Sequence, residues 1–133
     1  MTNRALVMPD YVVELVKLSL AQLGLDPSDE HTDIITAALR YEDGTELSVV
    51  VMCVAQRSWF REKPTVAVSI AKLDASMKAT EVHLREVMPV PYGPSDLQFL
   101  LTLNNNILSM AWTIAATAGM GECISLRSRP PMP

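Results

Sequence analysis

Residues 33 to 73 carry a run of alternating apolar strands, split by a tight turn signal and by a charged connector. Ile34, Thr36, Ala38 and Arg40 alternate with Ile35, Ala37, Leu39 and Tyr41. Asp43-Gly44 follows, and Leu47 to Gln56 resumes as an almost continuous apolar run. Alternation at period two puts successive side chains on opposite faces of a strand, and Asp-Gly supplies the positive φ angles of a two-residue hairpin turn. The pattern predicts strands over 34–41 and 47–56, the second covered on both faces. Val66, Val68 and Ile70 alternate with Ala67, Ser69 and Ala71, which predicts a third strand over 65–73.

Helical signals lie on either side of this run. Val12, Val13, Val16, Leu20 and Leu23 follow helical spacing, Asp10 stands where a cap belongs, and Gly24 can end the element in a left-handed conformation with Leu25 folding back. A helix over 10–23 is predicted. Its apolar arc is broader than one sheet face needs, which makes Val12 and Val16 candidate partner-binding residues. Ser95 with Gln98 reads as a capping box, and Leu97, Leu100, Leu101 and Leu103 give an apolar face. Asn104-Asn105-Asn106 then reads as a stop, so the second helix is predicted over 95–105. Leu108, Met110, Trp112 and Ile114 alternate with their neighbours, and Gly119-Met120-Gly121 reads as a turn, giving a last hairpin of 108–116 with 122–129. Residues 74 to 94 support either a strand or a short helix, followed by a proline-rich extended stretch.

The expected architecture is a single α+β domain over residues 1–133, with an ordered core from about 10 to 129. Two helices cover one face of an antiparallel sheet of about five strands. A chain of 133 residues with 49% hydrophobic content can bury such a core without metal or disulfide support. No apolar stretch reaches the roughly 18 residues of a membrane helix. The N-terminus has no apolar signal region, so a cytoplasmic location is expected. A net charge of −4 with scattered basic residues excludes a nucleic-acid footprint. Arg127 and Arg129 before the terminal prolines read as solvated charges on a polyproline tail.

Chemistry-bearing residues are not assembled. Cys53 and Cys123 form no CxxC pair, and Cys53 sits among valines, where a thiol acts as a small hydrophobe. His31 and His83 belong to no metal-ligand spacing, and His31 between Asp29-Glu30 and Asp33 reads as part of an acidic loop. Gly119-x-Gly121 precedes no helix and is no phosphate loop. No cofactor, no metal and no enzyme activity are expected.

The connector Ser58-Trp59-Phe60-Arg61-Glu62-Lys63-Pro64 sets two large aromatics among charges. Trp59 and Phe60 read either as a lid on the sheet edge or as a contact anchor for a partner.

The expected order of helix, three antiparallel strands, helix and two strands resembles the fold shared by type III secretion chaperones and YbjN-type sensory transduction regulators, carried by Leu23-Gly24-Leu25 at the end of the first helix, the Asp43-Gly44 hairpin and Leu100-Leu101-Thr102-Leu103-Asn104 before the last hairpin. The last element is closer to the YbjN-type pattern, and no third helix is expected after the final hairpin, unlike in the secretion chaperones. The resemblance spans roughly residues 10 to 129 and implies a chaperone-like or regulatory protein that forms dimers. With eight methionines as adaptable contact residues, the expected function is a non-enzymatic protein- or peptide-binding homodimer. The alternative is a small-molecule sensor with an apolar pocket between helix and sheet.

Replacing Trp59 and Phe60 together by Ala separates their two readings. A contact anchor loses partner capture and keeps its melting temperature. A lid loses several degrees and keeps capture in the folded fraction.

Overall fold

The central hairpin organises the sheet. The computed structural model describes residues 4–57, 62–76, 78–90 and 96–117. Within them the chain runs β1 (Arg4–Ala5), α1 (Asp10–Gln22), β2 (Asp29–Glu30), β3 (Ile34–Arg40), β4 (Glu46–Arg57), β5 (Glu62–Leu73), β6 (Ala79–Pro89) and α2 (Leu97–Thr117). Four long strands and two short ones form an antiparallel sheet in the order β2-β3-β4-β5-β6. β1 pairs with β4 at Ala55 and Val54, beyond the point where β3 begins. The α+β class read from the sequence is the class observed.

The β3–β4 turn is one residue longer than a two-residue Asp-Gly hairpin. Tyr41 donates its N–H to the Thr45 carbonyl at 2.9 Å, leaving Glu42, Asp43 and Gly44 as the loop. Gly44 donates to the Tyr41 carbonyl and takes a φ of 89°, the left-handed closing residue of a three-residue loop. The Asp43 carboxylate accepts the Thr45 N–H at 2.8 Å, which holds its pKa below the usual carboxylate value. The ambiguous stretch after residue 74 resolves as a strand. Its turn is built on Asp74, whose Oδ1 accepts from the backbone N–H groups of Ser76 and Lys78 and from the Ser76 hydroxyl.

Helix α1 starts differently from its sequence reading and ends as expected. Asp10 is the first helical residue rather than the cap; Pro9 occupies the cap position with no side-chain bond. Asp10 instead places a negative charge at the positive end of the helix dipole. Gly24 at φ 78° reverses the chain, and Leu25 donates to the Leu20 carbonyl at 2.9 Å while its side chain is buried.

The largest correction concerns the second half. α2 does not stop at the Asn run; it continues through to Thr117, so 108–116 is helix and not a strand. The second strand of that expected hairpin, 122–129, lies outside the described residues. Asp96 caps α2 by accepting the Phe99 N–H at 3.0 Å, and Gln98 turns instead to Thr102. Ser95 lies outside the described residues. Two of the three asparagines have side chains engaged elsewhere, and Asn105 faces outward. Asn104 Oδ1 accepts the Ser19 hydroxyl at 2.7 Å and a Gln22 amide N–H at 3.3 Å, while the Asn106 amide reaches Met88 Sδ at 3.3 Å. An asparagine amide held by a tertiary partner no longer competes for its own backbone.

Both helices cover one face of the sheet. Val12, Val16, Leu20 and Leu23 of α1 join Phe99, Leu103, Ile107, Met110 and Ile114 of α2 in a single core with Ile35, Leu39, Val49, Val51, Val68 and Ile70. The opposite face carries Thr36, Val50, Thr65, Ala67 and Ala71, small residues that are also buried, and neither helix lies on it. Both helices start at the sheet end where β4 finishes and run the same way. Asp96 at the start of α2 adds to the rise in the Tyr11 pKa, after burial and Cys53, and Ser19 meets Asn104 further along.

Two substitutions read the phase of α2. Leu103 is fully buried, so Leu103→Ala is expected to cost about 2–5 kcal/mol in a urea unfolding titration. Leu101, two residues away, faces outward, and Leu101→Ala is expected to stay within about 0.5 kcal/mol. Equal costs would place the helix in another phase. At the hairpin, a Cβ on Gly44 meets nothing within 4 Å, so the cost of Gly44→Ala is that of the left-handed backbone alone, about 1 kcal/mol.

Candidate functional site

Helix α2 runs for 21 residues without a single Asp, Glu, Lys, Arg or His. Helices that coat a core normally turn charge outward. Here the outward positions are Leu97, Gln98, Leu101, Asn105, Ser109 and Thr113. Leu97 is 70% exposed and Leu101 is 60% exposed, while Leu108 and Trp112 are half-buried along the same side. At 100° per residue these four fall within about 60° of the helix circumference, away from the buried stripe. They form one apolar ridge along α2.

The ridge borders α1. Gln22 and Ser19 bond Asn104 across the seam, which fixes the flank that each helix turns to the other. On that flank of α1 stand Leu15, half-buried, and Leu18, 61% exposed. The outer face of α2 along the seam is therefore leucine-rich and uncharged. On α1 the exposed Glu14 stands one turn before Leu18, about 40° around the helix, and Lys17 on the far side pairs with Glu30 at 2.7 Å.

Two grooves open elsewhere. One, of about 490 Å³, lies at the hairpin end of the second sheet face between Ser28, Thr36, Ser48, Glu46 and Lys72. Its ionic and hydroxyl groups are already partnered in part: Ser28 with Thr36 at 3.1 Å, and Glu46 with Arg40 at 3.5 Å. The other, of about 810 Å³, is a shallow opening beside the start of α1, lined by Val7, Asp10, Val13, His31 and Asp33. Neither lies between the helices and the sheet, where fully buried side chains fill the space.

Cys53 serves the fold. Cys53 is buried in the core, and burial, with Asp33 adding to it, pushes its thiol from 9.0 up to about 11. A thiol of that pKa stays protonated at neutral pH and is no nucleophile. His83 stands 3.5 Å from Glu81 on β6, and His31 stands in the shallow groove, far apart in the fold. Among the described residues no group of three or more His, Cys, Asp or Glu is placed to hold a metal ion. No helix among them is long and apolar enough to cross a membrane.

The sequence-derived partner residues fare unevenly. Val12 and Val16 are fully buried beneath α1 and present no surface to a partner as the chain stands. Leu18, on the opposite side of the same helix, is the exposed apolar residue. Trp59 and Phe60 lie outside the described residues. The ridge on α2 was missed because the Asn run divided it, although the absence of charge from 97 to 117 is a signal the sequence does carry. Comparison of the chain with family models, curated proteins and solved structures gave no match.

The raised Cys53 pKa has a stability consequence with a definite sign. The unfolded chain releases this proton first as pH rises. The contribution is therefore complete below about pH 9 and lost as pH climbs through about 11. Urea titrations across that window are expected to show a steeper decline for the wild type than for Cys53→Ala. In a Cys123→Ser background, iodoacetamide is expected to leave Cys53 unmodified in the folded protein at pH 8 and to alkylate it in urea.

Proposed function

We propose that this chain is a non-enzymatic protein- or peptide-binding module, of the chaperone-like or regulatory kind, that works as a homodimer. The observation that carries this reading is the uncharged, leucine-rich outer face of α2, where Leu97 and Leu101 are exposed, with Leu18 exposed on the neighbouring α1. Exposed apolar residues scattered singly are ordinary, but several aligned on one face and free of charge have the composition of an interface centre. The resemblance of the opening helix and the hairpin to YbjN-type regulators points the same way, although α2 continues past Leu100–Asn104 where that resemblance expects a hairpin. The reading places the protein in the cytoplasm.

The sensor alternative needs an apolar pocket between helix and sheet. The packed interior at Val12, Leu20, Leu103 and Ile107 favours the binding-module reading over it.

The test is capture with a folded control. The immobilised wild type is expected to retain a protein partner at defined stoichiometry. Leu18→Lys/Leu101→Lys, with unchanged circular dichroism, is expected to lose about tenfold or more in affinity. Equal retention by both proteins would remove the helical surface from the function. A small apolar molecule at one per chain in native mass spectrometry would favour the sensor instead.

A further inference from the structure

We infer that the second face of the sheet is an intramolecular docking surface whose occupant is the chain's own C-terminal segment, residues 118–133. The inference goes beyond the binding-module reading and does not depend on it.

Burial, rather than charge, selects this face. The side chains that point away from both helices include Thr36 on β3, Val50 and Val54 on β4, and Thr65, Ala67 and Ala71 on β5. All six are between 1% and 8% exposed within a single chain. Neighbours on the face do not account for this. Val50 stands between Thr36 and Ser69 in the register, two side chains too short to reach over its outer methyl groups, yet it is 5% exposed. An antiparallel sheet with a solvated face leaves such side chains wet. Other surfaces of the same chain do stay wet. Leu97 and Leu101 on α2 are exposed, and so is β6 from Ala79 to His83 and from Arg85 to Val87.

Reach decides which part of the chain lies over the face. Apart from Met77, the stretches outside the described residues are 1–3, 58–61, 91–95 and 118–133. Val50 lies about 23 Å from the Arg57 end of β4. Residues 58–61 leave that end and must return to Glu62 beside it, so they reach about 9 Å. Residues 91–95 are held at Val90 and Asp96, which limits them to about 11 Å, and 1–3 extend about 11 Å from Arg4 beside Ala55. The 16 residues after Thr117 extend up to about 55 Å, against about 40 Å for the whole of β4. They start at the hairpin end of the sheet, where the Tyr41 hydroxyl donates to the Ile114 carbonyl at 3.5 Å. Met120, Cys123, Ile124 and Leu126 supply the apolar side chains that such a face takes.

Cysteine cross-linking in the full chain tests the assignment. In a Cys53→Ala background Cys123 is the sole native thiol. Ala38→Cys, Ser48→Cys and Ser69→Cys each set a second thiol on the face, while Leu18→Cys and Leu101→Cys set one on the outer side of the helices. Under copper-phenanthroline oxidation, at least one of the first three is expected to form a disulfide within one chain about tenfold faster than either helix variant. Equal rates at all five positions, or disulfides that form only between chains, overturn the assignment and leave the binding-module reading in place. Ile124→Ser/Leu126→Ser is expected to lower the melting temperature by about 5 °C or more. An unchanged melting temperature counts against the assignment in the same way, and if that pair fails to fold the cross-linking rates decide.

Discussion

The antiparallel pairing of β4 with β5, continuous over Ser48 to Arg57 opposite Ala71 to Glu62, is the constraint on which the rest of the structure depends. It creates two strands of 12 residues whose helix-side positions are almost all aliphatic. Val49, Val51, Val66, Val68 and Ile70 form a surface too large to leave in water, since each buried aliphatic side chain contributes about 1.5–3 kcal/mol. One helix of 13 residues cannot cover four long strands. The need for a second, longer cover explains why α2 runs to Thr117 and why Ile107, Met110 and Ile114 sit in the core.

That demand overrides local preference at the Asn run. Asparagine in a helix interior costs a few tenths of a kcal/mol through competition with its own backbone. Burying Ile107, Met110, Ala111 and Ile114, worth roughly 5–10 kcal/mol, outweighs three such costs several-fold. The Ser19–Asn104–Gln22 bonds also turn a local liability into the polar clasp between the helices. Ser19 is fully buried, so its hydroxyl requires a partner, and it has both Asn104 and the Leu15 carbonyl within reach.

Polar chemistry elsewhere follows the same division of labour. Asp43, Asp74 and Asp96 close two turns and a helix N-terminus by accepting backbone N–H groups, and Cys53 is packed as a hydrophobe. These four side chains set chain direction and core volume. Among the described residues, the outside of α2 is left apolar and uncharged.

Much of this was legible in the chain itself. Period-two alternation over 33–73 determined three strands and their hairpin, because strand patterning depends only on which side chains share a face. Gly24 with Leu25 determined the end of α1 for a similarly local reason, the left-handed tolerance of glycine. Tertiary structure alone decided the rest. Residues 108–116 fit period two and period 3.6 equally well, with Met110 and Ile114 on the apolar side of either, so only the area waiting on β5 and β6 could choose helix. Val12 and Val16 look like Leu18 in composition, yet the first two are buried and the third exposed, because the sheet takes one face of α1 and the Ser19–Asn104 clasp sets its rotation. Local sequence specifies backbone conformations. Which apolar residues are left facing water depends on surfaces that distant parts of the chain create.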